Sequence, residues 1–178
     1  MRRGQVWVET VIYTLIGLSL IGVVLALITP KINEYRDRSV IEQTIESLNV
    51  IDKEISDALQ APGNTRIVNF RLKRGDLYFN ATSDRIIYVL EESNALYSEP
   101  GQPIDIGRVT ALTMKGKKTH RVELAMSYLI DIDYENNQTL LHYTPAPVPY
   151  RFSFSHAGFV SSGTATRASI FIKEISGA

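Results

Sequence analysis

An uncharged apolar segment near the N-terminus constrains this chain more than any other feature. No charged residue lies between Glu9 and Lys31, and residues 10–29 form a run of twenty residues dominated by Val, Ile and Leu. A helix of about twenty apolar residues crosses a bilayer hydrocarbon core of roughly 30 Å. The run therefore predicts a membrane-spanning helix.

The residues around this run suggest that it is retained and that the carboxylate just before it has a function. A secretory signal peptide carries small residues at a cleavage site after its apolar core, and no such site follows Thr29. Glu9 stands at the start of the apolar helix, where a carboxylate is costly and marks a function with a partner. Cleavage between Gly4 and Gln5 would create an α-amine that could pair with Glu9, within one chain or from a neighbour.

The string Arg2-Arg3-Gly4-Gln5, followed by Glu9 and the apolar run, resembles the class III (prepilin-type) signal sequence of archaeal type IV pilin-like proteins. In that family a membrane peptidase cuts after the glycine, and the apolar helices pack together as the core of a surface filament. The resemblance implies that Gly4 and Gln5 flank the scissile bond and that Glu9 is the assembly glutamate. The alternative from the residues alone is an ordinary single-span anchor with Glu9 at the membrane interface.

Bulk composition excludes several classes of protein. The chain has 178 residues, of which about sixty belong to the predicted helix, so the remainder suits one modest domain. Its 19 basic and 19 acidic residues give no net charge, which argues against a nucleic-acid partner. It contains no cysteine, which excludes disulfides and thiolate metal sites.

Beyond Pro30, where a bend is expected, the helical pattern becomes amphipathic. Apolar residues recur every three or four positions, and Ala61-Pro62-Gly63 ends the pattern. The predicted stripe comprises Ile32, Tyr35, Ile41, Ile45, Leu48, Ile51, Ile55 and Leu59, with Glu34, Asp37, Arg38 and other charged residues on the remaining faces. The chain thus divides into a leader (1–4), a transmembrane or filament-core helix (5–30), an amphipathic helix (31–61) and a β-rich extracellular domain (62–178).

The last of these segments alternates apolar and polar residues between turn signals, which is typical of antiparallel strands. We therefore predict an α+β fold in which the long N-terminal helix packs on a C-terminal antiparallel β-sandwich-like domain. Predicted strands are 66–72, 77–79, 86–90, 109–114, 121–134 with a bend near Ser127, 139–143, 150–155 and 166–175, with a short strand at 96–98 inside a loop from 94 to 107.

Few residues of the domain suggest chemistry. Asn80 and Asn137 begin N-x-[ST] sequons at predicted turns and are expected as N-glycosylation sites, with chance occurrence as the alternative. Asp131 and Asp133, with Glu135 beyond them, could bind calcium or simply line an exposed strand face. The basic turn at 115–118 could contact an acidic surface, although a solvated loop is the simpler interpretation. His120, His142 and His156 show no metal-binding spacing.

These observations predict a structural protein with no cofactor, no metal and no enzymatic activity. The resemblance implies a subunit of an archaeal type IV pilus-like surface filament, spanning the membrane with its C-terminal domain outside before assembly. Its partners would be the membrane, a prepilin peptidase, and copies of itself or other pilins. Alternatives are a minor pilin-like component of a secretion or adhesion machine, and a membrane-anchored extracellular binding module that does not polymerise.

Overall fold

A single long helix followed by a strand-rich domain makes up the described part of the chain. The computed structural model describes residues 2–134, 139–162 and 165–175. Helix α1, Arg2–Ala58, continues through Pro30. The strands are β1 Thr65–Phe70, β2 Asp76–Asn80, β3 Arg85–Ser93, β4 Pro103–Ile106, β5 Val109–Lys115, β6 His120–Ser127, β7 Asp131–Tyr134, β8 Leu140–Tyr143, β9 Tyr150–Ser162 and β10 Ala165–Glu174. The predicted α+β layout is confirmed.

Local sequence explains where the helix ends. Residues 33–60 contain neither proline nor glycine, so nothing interrupts the hydrogen-bonded backbone. Gly63 follows the last turn with φ of 85°, a left-handed conformation that glycine adopts without a steric penalty. The chain then reverses into β1, which runs back along the helix and contacts it.

The strands form two sheets. The four-stranded sheet has the order β1-β9-β10-β7, and the six-stranded sheet has the order β4-β5-β6-β3-β2-β8. Neighbouring strands are antiparallel except β7 and β10, which pair in parallel from Ser169 opposite Asp131 to Ile172 opposite Tyr134. The predicted antiparallel β-domain is therefore confirmed, with this one parallel pair as an exception.

Two strand predictions are corrected. Residues 121–134 do not form one bent strand, because the chain leaves the six-stranded sheet after Ser127 and enters the other sheet at Asp131. Asp84 fixes this crossing, since its carbonyl accepts from the Tyr128 N–H at 2.9 Å and its Oδ1 accepts from the Ile132 N–H at 3.1 Å.

The short strand predicted at 96–98 lies instead at Pro103–Ile106. Residues 95–97 have no ladder partner. Ser98 is held by paired hydrogen bonds in which each backbone N–H donates to the other residue's hydroxyl, Ser98 to Thr113 at 3.0 Å and Thr113 to Ser98 at 2.9 Å. These side chains take the place of strand pairing.

The two sheets and the second half of the helix share one core. Phe79 of the six-stranded sheet meets Phe152 of the other sheet at 5.0 Å between ring centroids, and Tyr143 meets Phe152 at the same separation. The helix contacts β1 and β9 of one sheet and β3 and β5 of the other. Its fully buried side chains are Ile41, Leu48, Ile51 and Ala58, and Ile45 and Ile55 are almost fully buried.

The buried stripe of the helix starts later than predicted. Ile32 and Tyr35 are 50% and 72% exposed, whereas Asp37, predicted on a polar face, is 1% exposed. Asp37 lies one turn before Ile41 and therefore on the same side of the helix. The domain reaches the helix only from this level onward, so the side chains before it have nothing to pack against.

Candidate functional site: the exposed apolar half of the helix

The apolar run of α1 extends outside the domain core. The helix is long and apolar enough to cross a membrane, and none of its most apolar stretch is buried. Its exposed large apolar residues include Ile12, Leu15, Ile16, Leu18, Leu20, Ile21, Val23, Val24, Leu25, Leu27 and Ile28. A continuous exposed apolar surface of this size indicates contact with lipid or with another protein.

The polar side chains within this run satisfy their own hydrogen bonds. The hydroxyls of Thr14, Ser19 and Thr29 donate to the carbonyls four residues earlier, at 2.9, 2.8 and 2.7 Å respectively. Because the backbone is helical and these hydroxyls are bonded, they need no water. The segment can therefore enter hydrocarbon without leaving those groups unpaired.

Small residues leave room for a neighbouring helix. A Cβ placed on Gly17 or Gly22 would meet no atom within 4 Å. Ser19 lies in a shallow apolar groove together with Ile12, Leu15, Ile16, Leu20 and Val23. Small side chains let helices approach closely in lipid, so this half of α1 suits helix packing as well as lipid contact.

Glu9 is exposed at the start of the run. The hydroxyl of Tyr13, one turn later, donates to its Oε1 at 3.4 Å. Among the side chains that the structure describes, no cation forms an ion pair with Glu9. Gly4 and Gln5 lie in the first turns of α1, and cleavage between them stays a prediction.

Of the two predicted glycosylation sequons, one begins within the described residues. Asn80 ends β2, where its Oδ1 accepts from the Ser83 N–H at 3.1 Å, and Thr82 is exposed in the following turn. This turn is open to solvent, as glycosylation requires. Asn137 lies outside the described residues.

The other residues considered from the sequence are not brought together. Asp131 accepts from the Ser169 hydroxyl at 3.3 Å, and Asp133 accepts from the Tyr134 N–H at 2.8 Å. Within the described part of the chain, no cluster of three or more His, Asp or Glu side chains could hold a metal ion; Glu135 lies outside it. His142 pairs with Asp76 at 3.1 Å, and His156 is buried with its Nε2 3.1 Å from the Gly158 carbonyl oxygen.

Sequence reasoning missed a buried carboxylate where the helix enters the domain. Asp37 Oδ2 accepts from the backbone N–H and the side-chain amide of Asn94, at 2.7 and 2.8 Å, and its Oδ1 accepts from the Arg74 guanidinium. Burial raises the pKa of Asp37, but these hydrogen bonds outweigh burial and hold the pKa below its usual value. The i, i+4 spacing from Asp37 to Ile41 was the available signal.

No protein-family model matches this chain, and neither the curated protein sequences nor the solved structures contain a significant match.

Proposed function

We propose that this chain is a structural subunit of an archaeal type IV pilus-like surface filament. Before assembly it spans the membrane once, with the strand-rich domain outside, and a prepilin peptidase removes residues 1–4. In the filament the apolar helices of many copies form the core. The observation that carries this proposal is that the apolar half of α1 lies entirely outside the core of its own domain.

No side chain of that half belongs to the core of the domain, so its surface must be covered by something else. Burying one Leu, Ile or Val side chain contributes roughly 1.5–3 kcal/mol, and this helix offers more than ten of them. Hydrocarbon and a bundle of identical helices bury such side chains about equally well. A subunit can therefore pass from lipid into a filament with little net change in apolar burial.

Glu9 favours transfer of the subunit from the membrane into the filament. A carboxylate at the edge of hydrocarbon costs a few kcal/mol on insertion scales, and Tyr13 offers only one long hydrogen bond. The α-amine of Gln5, created by cleavage, supplies a cation four residues away. Pairing of Glu9 with this amine, from the same or a neighbouring subunit, makes the filament a better environment for the carboxylate than lipid.

Processing is tested by mass spectrometry of the protein recovered from its native membrane. The expected mature chain begins at Gln5, and a Gly4→Leu variant should keep the leader. Recovery of the wild-type chain with Met1-Arg2-Arg3 intact would contradict the proposed processing.

Assembly is tested with Glu9→Ala. The variant should be processed normally but should enter filaments at least about tenfold less, since loss of one partner of a desolvated charge pair costs 2–5 kcal/mol. Glu46→Ala is the matched control, because Glu46 is exposed on the same helix outside the apolar run. Wild-type filament yield from Glu9→Ala would contradict the proposal, and purified filaments containing this chain only in trace would indicate a minor component instead.

A further inference from the structure

The domain has two distinct ends along the helix axis. At one end, which we call the proximal end, Asp37 contacts Arg74 of the β1–β2 turn and Asn94 after β3. At the other, distal end, the Gly63 N–H donates to the His156 carbonyl at 3.0 Å, just beyond the end of the helix. The apolar half of α1 emerges from the proximal end, so this end faces whatever surrounds that half.

Strand pairing brings four loops to the proximal end: 71–75, 94–102, 116–119 and 144–149. β1 runs back from the distal end to the first of these loops, and Ser93 beside Asn94 pairs with His120 after the third. Gly101 donates to the Thr113 carbonyl at 2.8 Å, and Ala146 donates to the Leu72 carbonyl at 3.1 Å. These contacts place all four loops at one level.

The proximal loops are strongly basic. Together they carry Arg71, Lys73, Arg74, Lys117 and Lys118 against one acidic residue, Glu99, and Lys115 precedes the third loop. Arg71, Lys73, Lys117 and Lys118 are exposed. By contrast, the distal loops 81–84, 107–108 and 128–130 carry one acidic and one basic residue, Asp84 and Arg108. The proximal loops are therefore more basic than these three distal loops.

Most of this charge is unpaired within the part of the chain that the structure describes. Arg74 is bound to Asp37, but no ion pair there involves Arg36, Arg71, Lys73, Lys117 or Lys118. Arg36, Lys73 and Arg74 line one groove between the helix and the β1–β2 turn. The only carboxylate in that groove is Asp37, which is buried and fully hydrogen bonded.

The groove lies close to the expected membrane surface. Arg36 is seven residues after Thr29, the last residue of the apolar run, which is about 10 Å at 1.5 Å per residue. The headgroup layer extends roughly 5–8 Å beyond the hydrocarbon on each side, and long basic side chains reach toward it.

We propose that the proximal end docks on anionic phospholipid headgroups while the subunit is in the membrane. This docking rests on the membrane placement in the proposed function but not on polymerisation. A second copy of the chain fits the basic surface less well, since the three distal loops named above, which a head-to-tail neighbour would present, carry no net charge. Docking would hold the domain against the bilayer. The domain would be released when the subunit is extracted from the membrane.

The absence of cysteine allows a direct test with the full chain in lipid nanodiscs. A fluorophore is attached at Gln102→Cys in a proximal loop or at Ser83→Cys in a distal turn, and quenching by a headgroup-labelled lipid is measured. Quenching at position 102 should be stronger when phosphatidylglycerol is added to phosphatidylcholine, and added salt should reverse it because the Debye length shortens. Position 83 should show no dependence on lipid charge.

Charge position is tested with two variants of equal net charge. The first variant is Arg71→Gln/Lys73→Gln/Lys117→Gln/Lys118→Gln. It should abolish the dependence of quenching on phosphatidylglycerol, because each basic residue removed near the surface lowers the docked-to-undocked ratio about fivefold. Lys53→Gln/Arg66→Gln/Arg108→Gln/Arg167→Gln, which neutralises exposed residues away from the proximal end, should retain it.

Several outcomes would overturn the docking. Equal quenching of the wild-type chain in both lipid mixtures would overturn the docking whatever the variants show. Equal loss of the phosphatidylglycerol dependence in both variants would show that net charge alone causes the effect. Shielding of position 102 in filaments but not in anionic nanodiscs would assign the surface to a neighbouring protein. A chain that fails to insert into the bilayer would contradict the proposed function itself, which separates the two failures.

Discussion

Asp37 is the residue on which the junction between helix and domain depends. A buried carboxylate is unfavourable unless hydrogen bonds replace its lost hydration. Asn94 supplies two donors and Arg74 a third, and each of these residues belongs to a different loop of the domain. One side chain of the helix therefore fixes two loops at the point where the apolar half begins.

Replacement of Asp37 by Asn should lower the free energy of unfolding at neutral pH by about 1–3 kcal/mol, because charge-assisted hydrogen bonds are lost. Urea unfolding of the detergent-solubilised chain measures this, with Glu46→Gln as a control at an exposed position of the same helix. A change no larger than that of the control would contradict the role of Asp37.

The same substitution should change the acid dependence of stability. The pKa of Asp37 is lower in the folded chain than the usual value of about 4, so its contribution is complete above that value and is lost as the pH falls through the folded-state pKa. The difference in stability between the wild type and Asp37→Asn should therefore narrow below about pH 4. A constant difference down to strongly acidic pH would contradict this.

At single positions the sequence predicts the ends of the buried stripe poorly. Periodicity correctly selects Ile41, Ile45, Leu48, Ile51 and Ile55, but it also selects Ile32 and Tyr35, which are exposed. It assigns Asp37 to the polar face because charge usually indicates solvent. Only the position of the loops that contact the helix decides these cases, and those loops lie more than thirty residues further along the chain.

Helix α1 shows one secondary structure serving two environments. Both halves have helical backbone and abundant Leu, Ile and Val, yet Leu48 is fully buried and Leu25 is 59% exposed. Composition explains the difference, since residues 10–29 carry no charge, whereas the second half carries most of its charges on the faces away from the core.

This difference predicts opposite results for one substitution at two positions. Leu48→Ala should destabilise the domain by about 2.7–5 kcal/mol, because it removes buried apolar contacts and leaves a cavity. Leu25→Ala should leave the unfolding of the domain unchanged, within about 0.5 kcal/mol. Chemical denaturation in one detergent measures both, and equal effects would show that the two halves are not independent.

At the level of strands, the sequence predicts where each strand lies in the chain better than which strands pair with each other. Alternation of apolar and polar residues locates most strands within a few residues, although it misplaces β4, ends β9 too early and predicts one strand with only a bend near Ser127. It does not reveal that the chain changes sheets there, nor that β7 pairs in parallel with β10. Side chains alternate between the two faces of a sheet in the same way whether strands pair in parallel or antiparallel. Only long-range contacts therefore determine the direction of pairing.

As a whole, the molecule consists of a self-sufficient domain and an extension that the domain does not need. The core cluster begins at Ile41, and Asp37, one turn before it, is hydrogen bonded to the domain through Asn94. The predicted boundary at residue 31 therefore lies close to, but ahead of, the point where packing starts.

A fragment comprising residues 31–178 should accordingly fold as a soluble monomer without detergent. Its free energy of unfolding should lie within about 1 kcal/mol of that of the domain in the full chain, because no core contact is removed. Size-exclusion chromatography and urea unfolding test this. An aggregated or unfolded fragment would show that the apolar half stabilises the domain after all.

The order of strands in the four-stranded sheet sets when the domain can close during synthesis. Its two central strands, β9 and β10, come from the last 29 residues of the chain, whereas its edge strand β1 lies 90 residues earlier in the pairing of Thr65 with Ser155. Until those final residues have been synthesised, β1 has no neighbouring strand in this sheet and one side of the buried helix stripe stays uncovered. A chain whose synthesis stops early cannot form the finished domain, since it lacks the central strands of this sheet and not merely an edge strand.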